Sequence, residues 1–393
     1  MMVITDTDAL AQFCARQRGA EFVAVDTEFM RERTYWPILC LVQIAGPEEA
    51  AAVDTLAPGI DLTPLLALMA DQRMLKVFHA GRQDIEIFFN LSGAVPAPIF
   101  DTQIAAMVCG FGDAVSYETL VSKLARASLD KSSRFTDWSQ RPLTERQIRY
   151  ALADVVHLRT VYEKLQERLT SNRRANWIAE EAAELSDPET YRNDPYEAWR
   201  RFRLRGRFDR RFFGVLREVA AWRESAARQR NLPRNRIMRD EAALEIAAHS
   251  PRTIEALART RSLGKGVAEG KLGGEILEAV GRGLTEPPPF DLPQPAKTEL
   301  PSGLGPLVEL LRVLLKQRCE DHEVAQKLLA SSEDLEAIAA DDHAPVKVLS
   351  GWRREIFGND ALALKHGERA LTVRQNRIRL VELLDPERTP QSL

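Results

Sequence analysis

Phe22-Val-Ala-Val-Asp-Thr-Glu-Phe29, "FVAVDTEF", is apolar and β-branched at most positions, as a buried strand should be, yet it carries two carboxylates. Residues i and i+2 of a strand point to one face, so Asp26 and Glu28 share a side, sheltered by Val25 and Phe29. Two carboxylates ~4 Å apart repel by roughly 4 kcal/mol at an effective dielectric near 20. A shared proton, a basic partner or a divalent cation must offset that repulsion. Taken alone, the pair also fits an ordinary exposed strand end.

The neighbouring pattern makes this strand part of a mixed sheet. "LCLVQIAG" (39–46) and "AAAVDTL" (50–56) are further short apolar runs, close enough to "FVAVDTEF" to form three consecutive antiparallel strands. Helix and strand then alternate: a helix near 62–70, the strand "LKVFHA" (75–80), a helix near 82–91, the strand "IFDT" (99–102), and helices near 103–109 and 117–126. An α/β sheet with helical cover fits this order. The clearest helix lies within 142–169, opened by a capping box of Thr144 and Gln147, with Ile148, Leu152, Val155 and Val156 as its apolar stripe.

No strand is expected after about residue 175. Residues 199–239 hold the densest run of arginine in the chain, expected to form ion pairs with the acidic 180–189 stretch and to contact phosphate. Residues 285–301, "TEPPPFDLPQPAKTELP", read as a linker. The segments 216–247 and 307–339 align loosely and share the "DEAALEIA"/"SEDLEAIA" ending, so they read as two copies of one helical module. The domains expected are 1–170 (α/β), 171–207 (helical linker), 208–286 (first helical module), 287–302 (Pro-rich linker) and 303–388 (degenerate second module).

Composition excludes several classes. The 393 residues carry a net charge of −3, so no global basic signature for nucleic acid exists and any such signal is local. Four scattered cysteines, with no CxxC, argue for a reducing compartment and against zinc. No secretory signal and no apolar run of ~18 residues is present, which predicts a cytoplasmic protein with no membrane partner. "LGKGVAEGKL" (263–272) fails as a phosphate-binding loop, because its glycine spacing is wrong and Leu272 stands where Ser or Thr is needed; no nucleoside triphosphate is expected.

Two other places can carry chemistry beside Asp26 and Glu28. In "VFHAGRQDIEIFF" (77–89) a strand ends at His79, and a small-residue turn leads into a helix bearing Asp84. Its plainer reading is a carboxylate at a helix N-terminus. Tyr150 and Asp154 lie at i and i+4 on one face of the capped helix, where an ordinary polar face is the plainer reading. Together, Asp26, Glu28, Asp84 and Asp154 make an all-oxygen ligand set suited to Mg²⁺ or Mn²⁺. Two such ions ~4 Å apart serve phosphodiester hydrolysis, with Tyr150 orienting or deprotonating the water.

These residues reach a known pattern. "VDTE", the Asp of "HAGRQD" and "YALAD" resemble the three exonuclease motifs of the DEDD superfamily, tyrosine subclass. "LDKSSRFTDWSQRPLTERQIRYALADV" (129–155) resembles ribonuclease D and its exosome-associated relatives, and "AAWRESAARQRNLPRNRIMRDEAALEIA" (220–247) resembles the HRDC module. One departure is that the second motif often has Asn before its Asp, whereas His79 ends the strand here.

The resemblance implies a ribonuclease H-like exonuclease domain followed by two small all-α HRDC-like domains. It implies 3′-to-5′ release of nucleoside 5′-monophosphates from RNA with a single-stranded 3′ end, tRNA precursors above all, by a monomer. Asp26, Glu28 and Asp154 would bind the metal nearer the nucleophile. Asp26 would also reach the second, with Asp84 nearby through water, and Tyr150 would position the attacking water. His79 and the loop residues Lys131, Arg134, Trp138 and Arg141 are expected to grip the RNA by phosphate contact and base stacking. The rival functions are a 3′-to-5′ DNA exonuclease and a non-catalytic RNA-binding scaffold. Without metal, at least one acid should titrate well above its ordinary value.

Overall fold

The computed structural model describes residues 2–130, 133, 136–204, 206–285 and 303–383. Three strands, β2 (Phe22–Met30), β3 (Ile38–Ala45) and β4 (Ala50–Asp54), form the antiparallel meander that the pattern predicts. Two elements precede it: β1 (Met2–Ile4), parallel to β4, and helix α1 (Thr7–Gln17). After α2 (Thr63–Ala70) come β5 (Leu75–Phe78), α3 (Arg82–Ser92) and β6 (Ile99–Asp101), and both strands run parallel to β2. The sheet order is β1-β4-β3-β2-β5-β6, which puts the carboxylate-bearing strand near the centre.

Strand alternation divides the core in two. Val23, Val25, Val42 and Ile44 face one side and pack with Leu10, Leu65, Ile85 and Phe88 of α1–α3. Ala24, Ala45 and Val77 face the other and pack with α4 (Thr102–Val108) and α6 (Glu145–Ser171), through Ala105, Val155 and Leu158. Small residues on that face of the central strands let α6 lie close across them. Between these helices lies the short α5 (Tyr117–Leu120), continued by a wider turn over Val121–Ala125. At 27 residues α6 is roughly 40 Å long. Its start is fixed by the expected box: Gln147 N donates to Thr144 Oγ1 (3.2 Å) and Thr144 N to Gln147 Oε1 (3.0 Å).

Helix α7 (Ala175–Ser186) leads to the first helical module: α8 (Arg210–Arg230), α9 (Arg234–Ile237), α10 (Asp240–His249), α11 (Ile254–Leu257), α12 (Lys265–Ala268) and α13 (Lys271–Thr285). Trp199 and Phe202 pack into the same core as Phe213, Leu216 and Val219. The ion pairs among the described residues lead these arginines elsewhere than to the expected 180–189 stretch. Arg201, Arg228 and Arg234 converge on the buried Glu224, and Arg217 and Arg282 take Glu218. Glu180 and Glu181 are claimed instead by Arg353, which reaches them from the far end of the chain.

The last block holds α14 (Gly305–Asp321), α15 (Gln326–Leu329), α16 (Ser332–Ala340), α17 (Gly351–Arg353) and α18 (Asn359–Lys365). Its core is continuous with that of the sheet domain: Leu311, Leu314, Ile338 and Phe357 join the cluster containing Val155 and Val161. Ala325 N donates to Met107 O (2.9 Å), and the Trp177 and Trp352 rings stack at 4.2 Å.

The expectation of no strand beyond 175 is corrected here. β7 (Arg369–Arg374) and β8 (Arg377–Glu382) form an antiparallel hairpin, so this block is not purely helical. Gln375 and Asn376 at its tip both take positive φ (53° and 58°), as a two-residue hairpin turn requires. Arginine at alternate positions hid the strand's apolar face from a search for hydrophobic runs. No described helix is long and apolar enough to cross a membrane.

Candidate active site

The site forms where β2, at the middle of the sheet, meets the first turns of α6. Asp26 and Glu28 leave β2 on the α6 side, and a register break follows between Glu28 and Phe29. Asp154 comes from α6. One carboxylate oxygen from each of Asp26, Glu28 and Asp154 lies within 4.8 Å of the others. These three acids, Tyr150, His79 and Tyr117 line one cavity of about 370 Å³. Three strand and helix carboxylates converging in an open cavity, with no sulfur or ring nitrogen among the clustered ligands, fit a hard divalent cation.

Asp84 stands behind them. It lies in the first turn of α3, is buried, and accepts a hydrogen bond from Thr27 Oγ1. It falls outside the three-acid cluster, yet its charge is felt at Asp26 and Glu28. The turn before it is tightly built. Ala80 has φ 54°, and the Ala80 and Gly81 amides donate to the Asp101 carboxylate at 3.1 and 2.9 Å. Gly81 is needed there, because a Cβ would sit 2.5 Å from the Phe78 Cβ.

The electrostatics match crowded acids without a cation. Burial, then the charges of Asp84, Asp154 and Glu28, hold the Asp26 carboxyl well above the usual carboxylate range. Burial, then Asp154 and Asp84, push Glu28 up to about 8. Burial pushes Asp84 up to about 6, against the hydrogen bond from Thr27. Burial pushes His79 down, so its ring is neutral. Its tautomer follows from its partner. Thr102 Oγ1 donates its one proton to Phe78 O (3.0 Å), so His79 Nδ1, 3.0 Å away, must donate to Thr102, leaving Nε2 as an acceptor.

The structure therefore brings Asp26, Glu28, Asp154, Tyr150 and His79 to one cavity, with Asp84 directly behind. It does not bring two other predicted residues there. Trp138 is 3% exposed, packed with Cys40, Leu41, Ala151 and Leu152, and its ring cannot stack on a base. Arg141 is fully engaged: Nε and Nη2 grip Asp54 at 2.7 and 2.6 Å, and its remaining donors take the carbonyls of Cys40, Trp138 and Gln140. Both brace the segment before α6 against the sheet. Lys131 and Arg134 lie outside the described residues.

Sequence reasoning missed Tyr117. Its hydroxyl donates to the backbone carbonyl of Asp154, and its ring lies 5.4 Å from that of His79. Only Ser116 as a helix cap marks this position locally, and a cap says nothing of a role in the cavity.

Comparisons with known proteins place the chain among nucleases. A family described as 3′-5′ exonuclease matches residues 1–170, and the HRDC domain family matches 212–280. The chain is 52% identical over 385 residues to Ribonuclease D of Granulibacter bethesdensis, covering 96% of each chain. It is also 52% identical to Ribonuclease D of Gluconacetobacter diazotrophicus, covering 97% of this chain and 96% of that one. Among solved structures it is similar to Escherichia coli RNase D, described as an exoribonuclease involved in structured RNA processing. That likeness has a TM-score of 0.77 at 31% identity and covers 93% of this chain and 98% of the other.

Proposed function

The chain belongs to the ribonuclease D family of 3′-5′ exoribonucleases, and from that premise we propose that it trims the 3′ ends of tRNA precursors and other small RNAs in the cytoplasm, releasing nucleoside 5′-monophosphates. The observation that carries the reading is the meeting of Asp26, Glu28 and Asp154 on one wall of an open cavity.

Asp26, Glu28 and Asp154 would hold one divalent ion, and Asp26 with Asp84 a second. Mg²⁺ or Mn²⁺ at these positions supplies an acidified water and stabilises charge on the leaving oxygen. The chain's own groups do the rest. Tyr150, on the cavity wall one helical turn before Asp154, orients the attacking water through its hydroxyl. Tyr117 anchors the backbone at Asp154 and so fixes where that carboxylate starts. Thr27 holds Asp84 in place behind the three acids by donating to it. His79 Nε2, the acceptor nitrogen, takes a hydrogen bond from a terminal ribose hydroxyl.

Residues 208–286 and 303–388 are read as two copies of one helical module. Supporting this, α8–α9–α10 and α14–α15–α16 repeat a long, short, medium order of 21, 4 and 10 against 17, 4 and 9 residues. In the first copy, Arg230, Arg236 and Arg239 are exposed and make no ion pair among the described residues, which leaves them available to phosphate.

The test is a digestion time course on a 5′-labelled tRNA bearing a short 3′ extension, with Mg²⁺ or EDTA, beside a matched DNA strand. A metal-dependent ladder on RNA that halts near the folded stem is expected, with 5′-monophosphates as product. Equal digestion of the DNA strand would favour a DNA exonuclease, and no ladder with either Mg²⁺ or Mn²⁺ would leave a binding scaffold.

A further inference from the structure

The β7–β8 hairpin was not expected, and its outward face is chemically distinct. The ladder sets Arg374 opposite Arg377 and Thr372 opposite Arg379. Cross-strand partners share a face, and alternate residues along a strand return to it. Arg374, Arg377 and Arg379 therefore project together, beside Ala370, Thr372 and Val381. Among the described residues of the hairpin no acid stands on that face. Glu382, the hairpin's acid, lies across from Arg369 on the opposite face, 3.4 Å away, and Arg369 is held further by Asp360. The opposite face is used for packing, since Leu371 and Leu380 sit against the hydrophobic core.

All three outward arginines are exposed, and none makes an ion pair among the described residues. Like charges directly across a ladder destabilise it. This arrangement thus carries a cost in the free protein that a bound polyanion removes. Guanidinium groups match phosphate bidentately, and the face holds no aromatic ring on which a base would stack. Cross-strand neighbours about 5 Å apart and diagonal ones about 7–8 Å apart set the three groups along a backbone. The hairpin also has a fixed mount. Its block shares a core with the exonuclease domain and is tied to α7, the helix that follows that domain, by the Arg353–Glu180 pair (2.7 Å).

We propose that the outward face of β7–β8 is a second RNA contact, separate from the cleft, which grips the phosphate backbone of the substrate's body without reading its sequence. The inference rests on the exoribonuclease reading of the cleft. Phosphate contacts fix position and carry no base information, so the effect is the same for any sequence long enough to reach.

The experiment uses the full-length chain and its Arg374→Gln/Arg377→Gln/Arg379→Gln variant, with the triple Arg→Lys variant as control. Kd for a tRNA with a 3′ extension is measured in EDTA across a salt series, and turnover of a tetranucleotide is measured with Mg²⁺. The Gln variant is expected to bind tRNA roughly tenfold more weakly at low salt. Its log Kd against log salt should be shallower by about 2, three contacts at ~0.7 each. Tetranucleotide turnover should stay unchanged, and the Lys variant should keep the wild-type salt slope. An unchanged Kd and slope in the Gln variant would overturn the proposal, as would a loss confined to binding of phosphatidylglycerol vesicles. Failure of the wild type to digest the tetranucleotide would strike the cleft reading instead, and the salt slopes would still decide this one.

Discussion

Asp26 stands directly opposite Gln43 in the β2–β3 ladder, and the Gln43 amide, fully buried on the α6 side, has no hydrogen-bond partner among the described residues at either its oxygen or its nitrogen. A buried, unsatisfied amide costs about 1–3 kcal/mol. Its neighbour across the ladder is the acid expected to meet both metal ions. An amide there can donate to the ionised Asp26 carboxylate once a cation draws it into that state. Gln43→Met keeps the volume and removes the polar atoms. We expect the metal-free protein to melt a few degrees higher and Mg²⁺ affinity to fall about tenfold, the usual scale for a group that orients a ligand. Thermal melts with EDTA and calorimetric Mg²⁺ titrations check this. A gain in Tm with unchanged Mg²⁺ affinity would assign Gln43 to packing alone.

Asp26→Asn removes the most crowded charge of the site. Turnover on a 3′-extended RNA should fall by at least about 10³-fold, the scale on which a lost charge-stabilising group registers. RNA affinity measured in EDTA should hold within about twofold. The metal-free variant should also melt higher than wild type, because burial and three neighbouring acids disfavour the ionised carboxylate in the parent. Retained turnover would remove Asp26 from the catalytic set.

Metal binding should release protons near neutral pH. Glu28 is raised from an ordinary 4.5 to about 8, so at pH 7 the metal-free protein holds a proton that a cation must displace. The sign for stability follows. Between about pH 4.5 and 8 the folded form binds more protons than the unfolded chain, so this group's contribution to metal-free stability is lost as pH rises through that window. Titrating Mg²⁺ at pH 7 in two buffers of different ionisation enthalpy should show at least about one proton released per site. Equal apparent enthalpies in both buffers would contradict the assignment.

Acid should loosen the first helical module from the sheet domain. Tyr35, in the loop after β2, donates its hydroxyl to Glu224 of α8, and accepts from Arg228 Nε (2.9 Å) and Arg234 Nη2 (3.2 Å). Burial alone would raise the Glu224 carboxyl. Hydrogen bonds from Arg234 and Tyr35, with the charges of Arg234 and Arg201, override it and hold Glu224 at about 2. Its contribution, on the order of 3 kcal/mol, is complete above pH 4.5 and lost as pH falls toward 2. Glu224→Gln should therefore lower Tm at pH 7, with the gap to wild type narrowing by pH 3. Tyr35→Phe should cost about 1–3 kcal/mol at pH 7 by leaving the buried carboxylate one donor short. A gap for Glu224→Gln that does not change with pH would refute the linkage.

Local periodicity alone determined much of this protein. A spacing of two put Asp26 and Glu28 on one face of a strand, a spacing of four put Tyr150 and Asp154 on one face of a helix, and Thr144 with Gln147 fixed where that helix starts. These are relations between residues a few positions apart, which backbone geometry imposes whatever surrounds them. The tertiary structure decided who occupies each face. Arg141 could have met phosphate and Trp138 a base, but Asp54 and the Cys40–Leu152 cluster, distant in sequence, captured them. Tyr117 entered the cavity and Gln43 was buried beside Asp26 through contacts with partners that no local pattern names. The basic hairpin stayed hidden because its few apolar residues form a face only when the last helical block is there to cover it. A chain encodes its faces locally, whereas the partner of each face is settled by competition among distant segments for the same buried space.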